Sequence, residues 1–234
     1  MEKQRIDKFI SNQIGISRSK ARTGIKMGKA SVNGFTQKDF SYQINPEIDR
    51  INYDGNEVLY EKFVYIMLNK PSGVISASTD GKHKTVLDLV SGDLRGRNLS
   101  VVGRLDKDTT GLIIITDDGD FAHKCISPKS EIEKSYIAEL DGDIKASLIE
   151  EFKEGIVLAD GYKCKPAILE DLKERKVRII ITEGKYHQIK RMFGVAGLGV
   201  NRLHRERIGG LRLPDNLSVG ESVKLNKTEI KSIF

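Results

Sequence analysis

Apolar positions set the first reading of the chain. In the polar segment RIDKFISNQIG, Ile6, Phe9, Ile10 and Ile14 recur near helical spacing, the stripe of a short amphipathic helix. Ser17 stands where an N-cap belongs, and SRSKARTGIKMGKA follows it as a second helix. ASVNGFTQK then reads as a short strand and an Asn-Gly turn, the signal of a hairpin. Near NEVLYEKF the pattern changes, which places a linker at roughly 58–62 and divides the chain into domains 1–60 and 61–234. Beyond it come short β-rich runs: VYIMLNK, LSVVGRL, GLIIITD, KSYIAEL and KVRIIITEG. Helical candidates lie between them at TVLDLV, DFAHKC, IKASLIEEFK and YHQIKRMFGVAG. Strands separated by short helices with hairpin-like spacings predict an α+β fold, its larger domain built on a mainly antiparallel mixed sheet flanked by helices.

Charge changes this picture through its distribution more than its total. The 234-residue chain carries a formal net charge of +6, and residues 1–60 hold half of that excess, with ten Lys/Arg against seven Asp/Glu. The second helix alone carries Arg18, Lys20, Arg22, Lys26 and Lys29 without one acid. Such a face suits a phosphate backbone, because each contact releases condensed counterions, although a solvated lysine face has the same composition. Cys125 and Cys164 are far apart and read as buried or incidental thiols of a reducing cytosol. The polar N-terminus shows no signal peptide, and the longest apolar runs fall short of a membrane span, so a soluble cytoplasmic protein without a membrane partner is expected. No His/Cys/Asp/Glu cluster has metal-ligand spacing, and no glycine-rich nucleotide loop is present, so neither metal nor cofactor is expected.

The stretch GRLDKDTTGLIIITDDG sets an Arg and two Asp in a polar loop just before the most apolar run of the chain. LSVVG and LIIIT are strands, the second apolar enough to be central, and RLDKDTTG must turn the chain between them. A turn accounts for Thr109, Thr110 and Gly111 but not for Arg104 and Asp106, which point to one face if the local backbone is extended. An ordinary surface ion pair is the plain alternative.

Two resemblances sharpen the reading. RIDKFIS and GISRSKARTGIKMGKASVNG resemble the S4 RNA-binding domain over roughly residues 4–50. That implies that the two helices and the following loop dock on structured RNA, with Arg18, Lys20, Arg22, Lys26 and Lys29 as contacts. Thr23-Gly24 stands where that family more often has a bulkier helix-forming pair, and is expected to loosen the second helix. GRLDKDTTGLIIITDDG closely resembles the signature of the pseudouridine synthases of the RsuA/RluA class. YIMLNKPSGVIS is similar to that class's opening strand and turn, EKSYIAEL to its Lys-x-Tyr element, TEGKYHQIKRMF to its third motif, and LHRERIGGLRL to the closing segment of the RsuA branch. The matches run in order across about residues 62–225.

The second resemblance implies roles one residue at a time. Asp106 takes the position of the catalytic aspartate, a nucleophile or a base that needs no cofactor. Lys190 would be the cation that keeps it ionised, with Arg191 as the fallback. Tyr136 matches the tyrosine against the target base, and Arg104 the residue that enters the space left by the extruded uridine. Lys134, His187, Arg191, His204 and Arg205 are expected to touch RNA; nothing in the sequence places either histidine near Asp106. The implied activity is isomerisation of a uridine of small-subunit (16S) ribosomal RNA, at the uridine-516 site. A synthase acting on large-subunit RNA and a non-catalytic S4-type ribosome-assembly factor are the alternatives, the latter disfavoured by the presence of both Asp106 and Tyr136. The partner is ribosomal RNA or its assembly intermediate, and with no dimerisation stripe the chain is expected to be a monomer. Attack at ribose C1′, attack at uracil C6 and elimination through a glycal all use the same residues.

Overall fold

The computed structural model describes residues 3–90, 92–94 and 97–234. It separates into two compact units, one formed by Met1–Val64 with Val90–Leu99 and the other by Tyr65–Leu89 with Ser100–Phe234. The first unit thus takes in a segment some thirty residues beyond the linker. Arg97 explains part of that: its guanidinium donates to Gln13 Oε1 (2.9 Å) and to Glu61 O (2.6 Å).

In the first unit, β1 (Gln4–Arg5) leads into α1 (Ile6–Ile14) and α2 (Arg18–Lys26). Strands β2 (Ala30–Val32), β3 (Phe35–Gln37), β4 (Gln43–Ile44), β5 (Ile51–Tyr53) and β6 (Asn56–Glu57) follow. The stripe of α1 is buried as predicted at Ile6, Phe9 and Ile10, which meet Ala21 and Ile25 of α2 and Val32, Ile44 and Ile51 of the strands. Ser17 caps α2 by accepting from Lys20 N at 3.2 Å. At the Asn-Gly turn, Asn33 and Gly34 both have positive φ, as a two-residue hairpin between β2 and β3 requires. Gly24 does not loosen α2 but lets it approach the sheet: a Cβ there would run into the Tyr53 hydroxyl. Bulkier residues suit a helix in isolation, and close packing overrides that preference here.

The second unit is a nine-stranded sheet. Its strands are β7 (Tyr65–Lys70), β8 (Ser100–Val102), β9 (Thr110–Thr116), β10 (Lys134–Leu140), β11 (Ile168–Lys173), β12 (Lys176–Ile181), β13 (Val200–Ile208), β14 (Leu211–Arg212) and β15 (Ser222–Lys224). The main path runs β11-β12-β10-β13-β9-β7-β15, with β8 beside β9 and β14 beside β13. Among the described strand pairs only β9 with β13 is parallel, so the sheet is mixed and mainly antiparallel. Helices α3 (Gly119–Ile126), α4 (Ala146–Glu154), α5 (Gln188–Val195) and α6 (Lys227–Lys231) lie between or after the strands. TVLDLV makes only a single 3-10 turn, Val86–Leu89.

Strand β9 is the centre of the core, with every residue from Gly111 to Thr116 buried. Burial on both faces accounts for its unbroken apolar run. Gly111 has φ +102°, and a Cβ there would collide with the Arg205 carbonyl; the glycine lets β9 and β13 close in register, Gly111 against Arg205. No helix among the described residues is long and apolar enough to cross a membrane.

Candidate active site

The loop between β8 and β9 leaves Val102 through Gly103 at φ +74° and returns to the sheet at Thr110. Leu105 and Thr109 point inward, Arg104, Lys107 and Asp108 outward, and the Asp106 side chain is 33% exposed. A turn closes within the loop, Thr109 N donating to Asp106 O (3.1 Å). Arg104 and Asp106 form no ion pair, and Arg104 is exposed with no partner among the described residues.

Two residues from the end of β7 and the turn after it brace this loop. Lys70 has no exposed surface, and its ammonium donates to the carbonyls of Pro71 (3.1 Å), Lys107 (3.2 Å) and Thr109 (2.8 Å). Burial pushes its pKa down to about 8, against the opposing pull of Asp108 and Asp106. Ser76 Oγ donates to Leu105 O (2.7 Å) and accepts from Leu105 N (3.0 Å). Neither residue stands out in the sequence. The only signal was a lysine ending an apolar strand, just before Pro71.

Opposite the loop stands the third motif, where the pairing differs from the expected one. Lys190 lies 2.6 Å from the exposed Asp108, not against Asp106, and its hydrogen bond holds the Asp108 carboxyl below the usual range. Arg191 pairs with Asp160. The ionisable neighbour of Asp106 is His187, with Nε2 3.6 Å from Oδ1. The reason is the start of α5: the predicted helix begins at Tyr186, but His187 is left-handed (φ 48°, ψ 33°) and helical residues begin at Gln188. His187 is thereby turned out of the helical phase, and Lys190 reaches the next carboxylate along the loop.

Tyr136, at the start of β10, is buried. In register it opposes Arg205, which opposes Gly111, so the three lie in one row across β10, β13 and β9. The Tyr136 hydroxyl accepts from Arg205 Nη1 (3.4 Å), and Arg205 Nε donates to Leu112 O (2.7 Å). Arg205 is only 3% exposed, which corrects its reading as an RNA contact: alternation along β13 turns it into the core and His204 to the other face. His204 is half-buried, its ring Nδ1 2.9 Å from Thr110 Oγ1, and burial lowers its pKa. Lys134 donates to Ile132 O (2.9 Å), with its pKa likewise lowered by burial. Among the described residues no group of three or more His, Cys, Asp or Glu is placed to hold a metal ion.

The basic helix of the first unit is also partly neutralised from within. Asp7 of α1 is fully buried and accepts from Arg5 (2.9 Å), Arg18 (3.3 Å) and Arg22 (2.8 Å). Burial alone would raise its pKa; the hydrogen bonds from Arg5, Arg22 and Arg18 outweigh it and hold the carboxyl well below the usual range. Arg22 and Lys26 lie over the Phe40 ring at 5.3 and 5.2 Å, and Lys29 pairs with Asp54 (3.1 Å). Lys20 stays exposed.

The chain is similar to known proteins over nearly its whole length. The model of the RNA pseudouridylate synthase family matches residues 64–194. The ribosomal small subunit pseudouridine synthase A of Escherichia coli (strain K12) is 40% identical over 231 residues, covering 98% of this chain and 99% of that protein. The protein of the same name from Haemophilus influenzae is 38% identical over 231 residues, with the same coverage. A crystal structure described as that of a pseudouridylate synthase superposes with a TM-score of 0.70 at 37% identity, covering 99% of this chain and 100% of that one.

Proposed function

The chain belongs to the RNA pseudouridylate synthase family, and from that premise we propose that it isomerises a uridine of small-subunit ribosomal RNA, with Asp106 as the catalytic carboxylate. The reaction breaks the bond from ribose C1′ to uracil N1 and forms one from C1′ to C5. The C5 hydrogen leaves as a proton and N1 gains one, so nothing is oxidised or reduced and no cofactor is required. A carboxylate serves as nucleophile or as base in such a sequence.

The observation that carries this reading is the presentation of Asp106. Its loop is fixed by Lys70 and Ser76, yet its carboxylate remains a third exposed, with the His187 imidazole 3.6 Å away. Lys190 and Asp108 clamp α5 to the loop, which keeps an ammonium beside the site. Tyr136 supplies an aromatic face for the base, and the free guanidinium of Arg104 fills the gap left by the extruded uridine. The first unit acts as an S4-like RNA-binding domain, with Arg18, Lys20, Arg22, Lys26 and Lys29 as its basic face; Lys134, His187, Arg191 and His204 add contacts in the catalytic domain. The relatives' names, at full-length coverage, support the small-subunit RNA as substrate. Uridine-516 as the site, a monomeric state and action in the cytoplasm complete the proposal and rest on the sequence reading alone.

The test is to treat ribosomal RNA from cells lacking this protein with wild type or Asp106→Asn and map pseudouridine. One small-subunit site restored by wild type alone is expected. Restoration by both removes Asp106 from the mechanism, and RNA binding without new pseudouridine moves the protein to the assembly-factor reading.

A further inference from the structure

Tyr186 is 75% exposed, in the turn that leads into α5. One face of its ring stacks on His187, with centroids 3.9 Å apart and planes 17° from parallel. His187 in turn reaches Asp106 at 3.6 Å. The other face of Tyr186 is open, and its hydroxyl has no partner among the described residues. A ring kept for packing would be buried, and one kept for its hydroxyl would be hydrogen-bonded.

The segment presenting this ring is built to hold it there. Gln188 Oε1 accepts from Lys185 N (2.8 Å), bridging the two residues between. Gln188 Nε2 donates to Glu183 (2.7 Å), itself buried and tied to Tyr162 (2.7 Å) and Lys165 N (2.9 Å). Arg191 anchors the tyrosine's own carbonyl at 3.4 Å. These contacts hold His187 in the left-handed conformation that a residue with a Cβ adopts only at a cost. A strained, buttressed turn that exposes an aromatic ring next to a reactive carboxylate is a preorganised binding feature.

We infer that the open face of Tyr186 stacks on a nucleobase flanking the target uridine, making it a specificity-determining residue; this rests on the function proposed above. When a uridine is extruded, its neighbour in the strand loses a stacking partner, and an aromatic ring close to the site of chemistry replaces that partner. Lys185 and Arg191 put positive charge on the same segment, suited to the flanking phosphates.

The test measures Kd with the full-length protein. The probe is the small-subunit RNA segment in which wild type forms pseudouridine or, if it forms none, the ribosomal RNA fragment it retains most tightly. Each is made intact and with an abasic residue in place of the base on either side of the uridine. Tyr186→Ala should raise Kd for intact RNA by about tenfold, the scale of a lost base–aromatic stack, and Tyr186→Phe should recover it. One of the two abasic RNAs should bind wild type correspondingly more weakly while leaving no further loss for Tyr186→Ala. Equal Kd for wild type and Tyr186→Ala on intact RNA overturns the inference, as does an equal loss for both proteins on each abasic RNA. Failure of the functional reading shows separately, as the absence of pseudouridine.

Discussion

Asp7 and Asp106 are both carboxylates set among cations, and the fold treats them in opposite ways. Asp7 is fully enclosed, and its two oxygens are taken up by Arg5, Arg18 and Arg22. Asp106 keeps a third of its surface and meets one imidazole at 3.6 Å. The rigidity given to Asp7 through its own side chain is given to Asp106 through its backbone, by Lys70 and Ser76. A structural carboxylate can use all of its lone pairs on the protein. A reacting one must be positioned while its oxygens stay available.

Exchanging each carboxylate for an amide tests the contrast most severely. Asp106→Asn should slow pseudouridine formation by at least about 10²-fold, the scale of a single acid–base or nucleophilic group, while leaving folding stability within about 0.5 kcal/mol. Asp7→Asn should do the reverse to stability, costing about 2–3 kcal/mol in urea unfolding followed by hydrogen exchange of the α1 and α2 amides. Removing one partner of a buried ion cluster is expensive, although the three guanidiniums reach solvent and lessen the cost. Because the Asp7 pKa is depressed below its unfolded value of about 3.9, the unfolded chain binds the extra proton in acid. The stabilisation is therefore complete above about pH 5 and is lost as pH falls, and Asp7→Asn should flatten that acid limb. Equal acid sensitivity of the two proteins would show that Asp7 is not the responsible group.

The brace beneath Asp106 gives the next effect. Lys70→Met leaves the carbonyls of Pro71, Lys107 and Thr109 without their donor, a cost of about 2 kcal/mol after relief of the buried charge. The Lys70 pKa, near 8, lies below its unfolded value of about 10.4, so between these the unfolded chain holds more protons and stability rises with pH. The margin of wild type over Lys70→Met should widen from about pH 8 to pH 10 in paired urea titrations. A constant margin would mean that the lysine keeps its ordinary pKa in the folded protein and stays charged across this range.

What was legible in the sequence follows from how local each signal is. The apolar run of β9, the Ser17 cap and the Asn33-Gly34 turn each declare themselves within a few residues, and all three are in the structure. The loop holding Asp106 was found through its motif. The Lys70 brace was not legible, because its acceptors Lys107 and Thr109 come near only when β7 pairs with β9. Strand β13 was hidden by its own composition: in VNRLHRERI the inward Arg205 is as polar as its outward neighbours. The Lys190–Asp108 and His187–Asp106 pairings turn on one left-handed residue, which no periodicity reveals.

The smallest effect concerns Arg104, two residues from Asp106 and without a partner among the described residues. Since no contact is lost, Arg104→Ala should leave stability within about 0.5 kcal/mol. Turnover is another matter if the guanidinium takes the place of the extruded base. Extrusion costs a few kcal/mol, and a planar cation filling the gap offsets part of it, so kcat/KM should fall about tenfold. Charge and plane separate in Arg104→Lys, which keeps the charge but cannot stack as a flat group. A lysine variant as slow as the alanine variant assigns the effect to the plane. Recovery by lysine would instead make Arg104 a phosphate contact, leaving the gap to be filled by another residue of the loop.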